Sequence, residues 1–441
     1  MSISQAFKRG DLDYRHINIT QASEFQNLLF NLTEDNFEDA RNASLNFLKN
    51  TISAEQFFNT LKNVSTFRPL LVNLCCKLLE NVSNELKSIV NQQFQRKLCL
   101  MFRTHYHILL TLYENQIITI DNITDHYLFP HESNLDLLRF FYPEIIEKDP
   151  QFYSKHVQSD EIEAFLSENM NKTEEFKEKR KKKINENQIC QFISMDDFES
   201  FTNYIKTNSI DLNSTVPFSL FESTNYVFTF SEDGMNFIEY TAFFGSFKIL
   251  QFLLQNKTVF INSNLLNAAA IGGNKDIIHL LEERKAILNI DTFYEAVNSH
   301  QNEIANYIIE NNKTVKITAE LLNDIIPSYN LEFIKKVAEL LVTDEFAKKE
   351  EKNFLNSSLF IAIECNFSEI VEFLVSYRKF LNINYKYENF YNMTLLLKAA
   401  LSHQIENIKI LLNQKGIDTS LADSKILKKF FFMEFLFIFF F

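Results

Sequence analysis

Counted from Gly245, the residues four, five, seven and eight places on are Ile249, Leu250, Phe252 and Leu253, with Gln251 at the sixth place. Counted from Gly273, the same places hold Ile277, Ile278, Leu280 and Leu281 around His279. His300 gives Ile304, Ala305, Tyr307 and Ile308 around Asn306, and Asn366 gives Ile370, Val371, Phe373 and Leu374 around Glu372. His403 gives a shifted version, with Ile408, Ile410 and Leu411 around Lys409. A second pattern precedes each origin by two to four places: Thr241-Ala242, Ala269-Ala270, Ala296-Val297, Ala362-Ile363 and Ala399-Ala400. One amphipathic helix can arise by chance; five copies with the same polar place describe a repeated unit.

The physical reading is two short antiparallel helices per unit. Small residues in the first helix let a neighbouring unit come close. That helix stops at a Gly, His or Asn suited to a left-handed cap. The second helix presents an apolar stripe with a polar residue on its solvent side. Helices this short cannot bury their apolar faces alone, so the units must stack into a solenoid. Between His300 and Asn366 there is room for one degenerate copy, residues 321–341, in which Pro327 and Lys336 depart from the pattern. Residues 189–205 read as a weak first copy. Composition agrees with helices on short connections: the chain of 441 residues contains only six Gly and six Pro. Asn is plentiful between the apolar runs and can cap helices or adopt left-handed backbone. The expected fold is all-α, a helical-repeat solenoid preceded by a helical N-terminal domain.

At "TLLLKAALSHQIENIKILLNQKGID", residues 394–418, the pattern resembles the ankyrin family. Leu395 stands in place of the usual Pro, Leu397 in place of His and His403 in place of Gly. The family's Thr-Pro-Leu-His signature is complete nowhere in the chain. The stretch "FIEYTAFFGSFKILQFLL", residues 237–254, is similar to the divergent Asn- and Phe-rich ankyrin proteins expanded in some protists. Their helical N-terminal half, a domain of unknown function, is similar to "FRPLLVNLCCKLLENV" and "FYPEI" here. The resemblance implies about six or seven ankyrin-like repeats and a non-catalytic scaffold that binds a protein partner through turn fingers and the concave face of the inner helices.

Segment boundaries follow from composition. Residues 1–170 carry long helical patterns broken late by Pro130, Pro143 and Pro150. Residues 171–187, "NKTEEFKEKRKKKINEN", lack an apolar face and read as a charged linker, best explained as a solvated helix with i,i+4 pairs. Repeats occupy 188–424, and residues 213–236 form a longer connection that can pack over the first units. The Phe-rich tail, 425–441, has three readings: an aberrant end of the reading frame, a buried or partner-docking plug, or a membrane-surface anchor. It falls short of the roughly 20 apolar residues that span a bilayer, so a membrane role is not the main expectation.

Nothing in the sequence has the spacing of a catalytic or metal site. Phosphate-cradling Gly loops, HExxH and the nucleophile elbow are absent from the sequence. His105 and His107 stand two apart and so on different helix faces; His126 and His131 flank Pro130. An enzyme with a site in the N-terminal half therefore remains the rival reading, resting on these four histidines. Cys75, Cys76, Cys99, Cys190 and Cys365 sit in apolar runs and read as core thiols. No cofactor is expected. A net charge of −13 argues against nucleic acid as partner, and the thiols with the polar first residues point to the cytoplasm. The basic run 177–183 leaves nuclear entry open. The strongest candidate contact is the finger "LNINYKYENFYNMT", residues 381–394, with Tyr385, Tyr387, Phe390 and Tyr391. Its aromatic side chains either meet a partner or pack onto the neighbouring unit.

Overall fold

A computed structural model describes residues 18–49, 51–127, 135–157, 159–208, 210–222, 234–255, 261–312, 315–343, 353–387 and 393–419. The fold is all-α; the described sheet is a single hairpin of two-residue strands, Lys386–Tyr387 and Met393–Thr394. The chain forms two compact units. One is Asn27–Asn312; the other joins residues 18–26 to 315–419.

Among the described residues, helices pair as the spacing predicts. In the first unit the pairs are Gln188–Ser194 with Phe198–Thr207, Phe237–Phe243 with Phe247–Leu253, Ser263–Gly272 with Lys275–Glu283, and Ile290–Asn298 with Asn302–Asn311. In the second unit they are Ala319–Ile325 with Leu331–Leu341, Leu355–Glu364 with Ser368–Val375, and Leu395–Leu401 with Ile405–Leu412. Within each unit, first helices stack on first helices, and second helices such as Phe247–Leu253 and Lys275–Glu283 also lie side by side. The stripe residues Ile249, Leu250, Ile277, Ile278, Leu281, Ile370, Val371 and Leu374 are all buried. Asn side chains start the helices: Asn262 accepts from the Leu265 N–H, Asn289 from Thr292, and Asn236 closes a capping box with Glu239.

Each origin residue has left-handed backbone, with φ of 71° at Gly245, 78° at Gly273, 58° at His300, 60° at Asn366 and 55° at His403. The degenerate copy shares this turn: Pro327 lies in a 3-10 turn and Tyr329 takes φ 57° as its origin, while Asp196 with φ 49° serves the weak first copy. The residue after the origin donates its N–H five residues back, as in Ser246 to Thr241, Gln301 to Ala296, Phe367 to Ala362 and Gln404 to Ala399. That satisfies the carbonyl of the third residue from the end of the first helix, as in a Schellman-type cap.

The side chain of that same residue ties one pair to the pair before it. Asn274 donates to the Gly245 carbonyl at 3.0 Å, Gln301 to the Ile271 carbonyl at 2.9 Å, and Gln404 to the Ile363 carbonyl at 2.7 Å. Ser246 does the same toward Ile193. These straps supply bonds between units that the incomplete Thr-Pro-Leu-His signature does not.

The N-terminal helices of the first unit enclose an aromatic core. Phe57, Phe58, Phe102, Phe140 and Phe141 are fully buried, and the helix Tyr106–Glu114 is buried on every side from Tyr106 to Leu112. Residues 173–182, expected as a solvated linker helix, are helical but not solvated throughout. Phe176 packs against Tyr142 and Phe165, and Arg180 donates to both Glu144 carboxylate oxygens and to the Phe140 carbonyl. Two inward positions four apart, Phe176 and Arg180, suffice to dock a helix whose other residues are charged. The connection after residue 210 returns to the same helices, with Phe221 buried against Phe176.

Candidate interaction surface

A helix pair offers two ends, a short turn at the origin residue and a longer loop toward the next pair. The chain's own N-terminal residues occupy short turns. In the first unit, Phe30 stacks on the His300 ring at a centroid distance of 4.2 Å, and Arg68 donates to the Ser299 carbonyl at 3.2 Å. In the second unit, Gln26 brackets the turn at Tyr329, donating to its carbonyl at 2.9 Å and accepting from the Leu331 N–H at 3.1 Å. The origin histidine His300 thus serves as turn and packing residue.

Exposed large apolar side chains occur at both ends of the pairs: Met195 and Ile405 flank short turns, and Ile287 and Tyr385 lie in longer loops. Ile287, between the third and fourth pairs, is 80% exposed, and Tyr385, between the sixth and seventh, is 41% exposed. Ile287 was not visible as a candidate in the sequence, because nothing in the spacing of "KAILNID" separates it from Leu288 and Ile290. The finger around Tyr385 is built from its neighbours. Tyr387 lies 7% exposed; its ring packs tilted against Phe360 at a centroid distance of 4.3 Å and its hydroxyl donates to the Asn356 carbonyl. Burial raises the Tyr387 hydroxyl well above the ordinary range, so it stays a donor. Tyr385 meets Tyr387 edge to face at 4.9 Å and points outward. The Asn382 N–H bonds the Asn356 side chain, and Asn384 donates to the Gly416 carbonyl at 2.8 Å. Tyr387 is therefore the anchor and Tyr385 the presented ring. Phe390 and Tyr391 lie outside the described residues, as do residues 420–441 with the Phe-rich tail.

The residues considered for chemistry have structural surroundings. His105 is buried, within 2.7 Å of the Thr66 hydroxyl, and burial with nearby Lys62 holds its imidazole down to about 3. His107 donates from Nε2 to the Phe221 carbonyl at 2.7 Å; burial likewise holds it to about 3. Both are neutral, and the Nδ1 of His107 has no partner. His131 is outside the described residues. Cys75, Cys76, Cys99 and Cys190 are buried and Cys365 half-buried, and desolvation pushes the Cys99 thiol up to about 12. A cleft of about 490 Å³ in the second unit is lined by Thr20, Glu24, Glu369, Glu372 and Phe373. Among the described residues there is no metal-ligating cluster and no helix long and apolar enough to cross a membrane.

Stacked helix pairs with left-handed short turns, strapped pair to pair and ending in longer exposed loops, define a helical-repeat protein. Residues 329–423 match the family model for ankyrin repeats in three copies, and residues 237–337 match that of a domain of unknown function (DUF3447). The chain thus carries ankyrin repeats over residues 329–423, and the matched domain of unknown function covers residues 237–337, within the helix pairs. No curated protein matches the chain. Ankyrin repeats mediate protein–protein interaction in general and typically carry no catalysis.

Proposed function

We propose that this chain is a non-catalytic protein-binding scaffold whose partner docks on the long-loop edge of the repeats, with Tyr385 as the principal contact and Tyr387 as the residue that holds the finger in place. The supporting observation is the division of labour in one hairpin. Tyr387 is held inside by a hydrogen bond and a tilted ring contact, while Tyr385, two residues earlier, is exposed. An exposed aromatic ring on a fixed backbone loses little entropy on docking and is the kind of side chain that dominates interface energy. Phe390 and Tyr391 belong to the same finger in sequence and complete the proposed contact. In this reading residues 1–170 form a helical domain and 188–424 the repeats, and the protein works in the cytoplasm.

The test is affinity purification of partners with Tyr385→Ala, Tyr387→Phe and the unaltered protein. Tyr385→Ala should lose a partner that the unaltered protein retains, with its thermal midpoint unchanged. Tyr387→Phe should keep the partner but lower stability. Equal recovery by Tyr385→Ala and the unaltered protein sinks the reading.

A further inference from the structure

We infer that the partner surface presented to this finger is acidic, a carboxylate-rich protein segment with one aromatic or large apolar side chain that packs on Tyr385. The inference rests on the edge reading above and adds the chemistry of the partner. It comes from a reversal of charge. The whole chain carries −13, yet residues 376–388 and 413–419 bear Arg378, Lys379, Lys386 and Lys415, which are exposed, against two carboxylates in sequence, Glu388 and Asp418. These two loops are one built platform. The Arg378 guanidinium donates to the Lys415 carbonyl, Asn384 donates to the Gly416 carbonyl, and the Asp418 N–H donates to the Asn384 side chain at 2.8 Å.

Elsewhere some exposed lysines have local carboxylate partners, as in Lys181 with Glu178 and Lys275 with Glu303, and others, such as Lys206, Lys248 and Lys285, stand singly without one among the described residues; here several cations share two bonded loops. Among the described residues Lys379, Lys386 and Lys415 have none. Exposed cations of this kind contribute little each, but together they steer an acidic partner and repel a basic one. Tyr385 gives the complex its apolar anchor. A nucleic acid suits the platform less well. Binding to phosphate depends on many cations along an extended track, whereas this platform is small and the remainder of the chain repels polyanions.

The experiment uses the full chain and fluorescein-labelled peptides: a glutamate-rich peptide containing one Phe, the same peptide with Gln for Glu, the same with Lys for Glu, and a single-stranded oligonucleotide of equal length. Fluorescence anisotropy at low salt should rank the acidic peptide first, and raising the salt should weaken it. The triple variant Lys379→Glu, Lys386→Glu, Lys415→Glu should bind the acidic peptide about tenfold or more weakly, and the triple Gln variant should fall between. All three positions are exposed, so circular dichroism should match the unaltered protein. Equal binding of the Glu and Gln peptides, or binding indifferent to the triple reversal, overturns the inference. Preference for the oligonucleotide overturns it in favour of a nucleic-acid surface. If Tyr385→Ala loses a captured partner that the triple charge variant keeps, the edge reading stands and the acidic assignment falls. If Tyr385→Ala loses nothing, both fall.

Discussion

At Gly272, local preference and packing oppose each other. The residue is helical, and in an isolated helix Ala is favoured over Gly by about 1 kcal/mol. A Cβ there would sit 2.6 Å from the Ala242 carbonyl oxygen and close to that of Phe243, both belonging to the first helix of the preceding pair. Carbonyl oxygens on helical backbone cannot yield as a flexible side chain can. Gly272→Ala should therefore destabilise the protein by about 3 kcal/mol, the upper end for overpacking. Gly245 is a different case: its φ is 71°, yet a Cβ would meet its nearest neighbour, Asn274, only at 3.5 Å. Gly245→Ala should cost only the left-handed strain, about 1–2 kcal/mol. Urea titration of the two variants checks the order; a Gly272→Ala variant as stable as the unaltered chain removes the close-approach argument. The Gly272-Gly273 pair was legible as a turn marker, but its first member's role depends on backbone of another pair and leaves no local trace.

Between elements, cohesion is carried by the straps as well as by apolar contact. Removing the Gln301 amide leaves the Ile271 carbonyl without that donor, and an unmet buried carbonyl costs about 1–3 kcal/mol. Gln301→Ala should lower stability by that amount; Asn302→Ala, one residue later in the same helix, should lower it less. Hydrogen exchange should show faster opening at the junction of the third and fourth pairs in the first variant; equal exchange in both denies the strap a role. The pairing itself was plain in the sequence, because apolar stripes and small residues recur at fixed distance from one turn. The straps were not, since Ser246, Asn274, Gln301 and Gln404 differ in type and share only their place after the origin. Arg180 hid for a related reason. In "KEKRKKK" nothing separates the one cation that faces Glu144 from those that face water.

For the whole molecule, burial of neutral imidazoles makes folding sensitive to acid. His105 and His107 are held to about 3, while in the unfolded chain they take up protons near their ordinary value of about 6.5. Their contribution is full above that value and is lost as pH falls from it toward 3. Glu295 works in the other direction: burial and the nearby Asp291 raise it to about 7, so the fold favours its protonated form and is weakened as pH rises toward 7. Glu295→Gln should thus be more stable than the unaltered protein at pH 7, by about 1 kcal/mol after allowance for solvent, and no different near pH 4.5. A variant that gains equally at both values contradicts the assignment. The straps behave otherwise. Asn274, Gln301 and Gln404 hold their pairs with uncharged amides, so neither acidity nor ionic strength loosens them. Their weakness is slow hydrolysis: deamidation of Asn274 would set an aspartate oxygen against the Gly245 carbonyl it once served, turning an attraction into a repulsion. The array's lifetime is therefore limited by chemical ageing at its joints, even where its solution conditions never change.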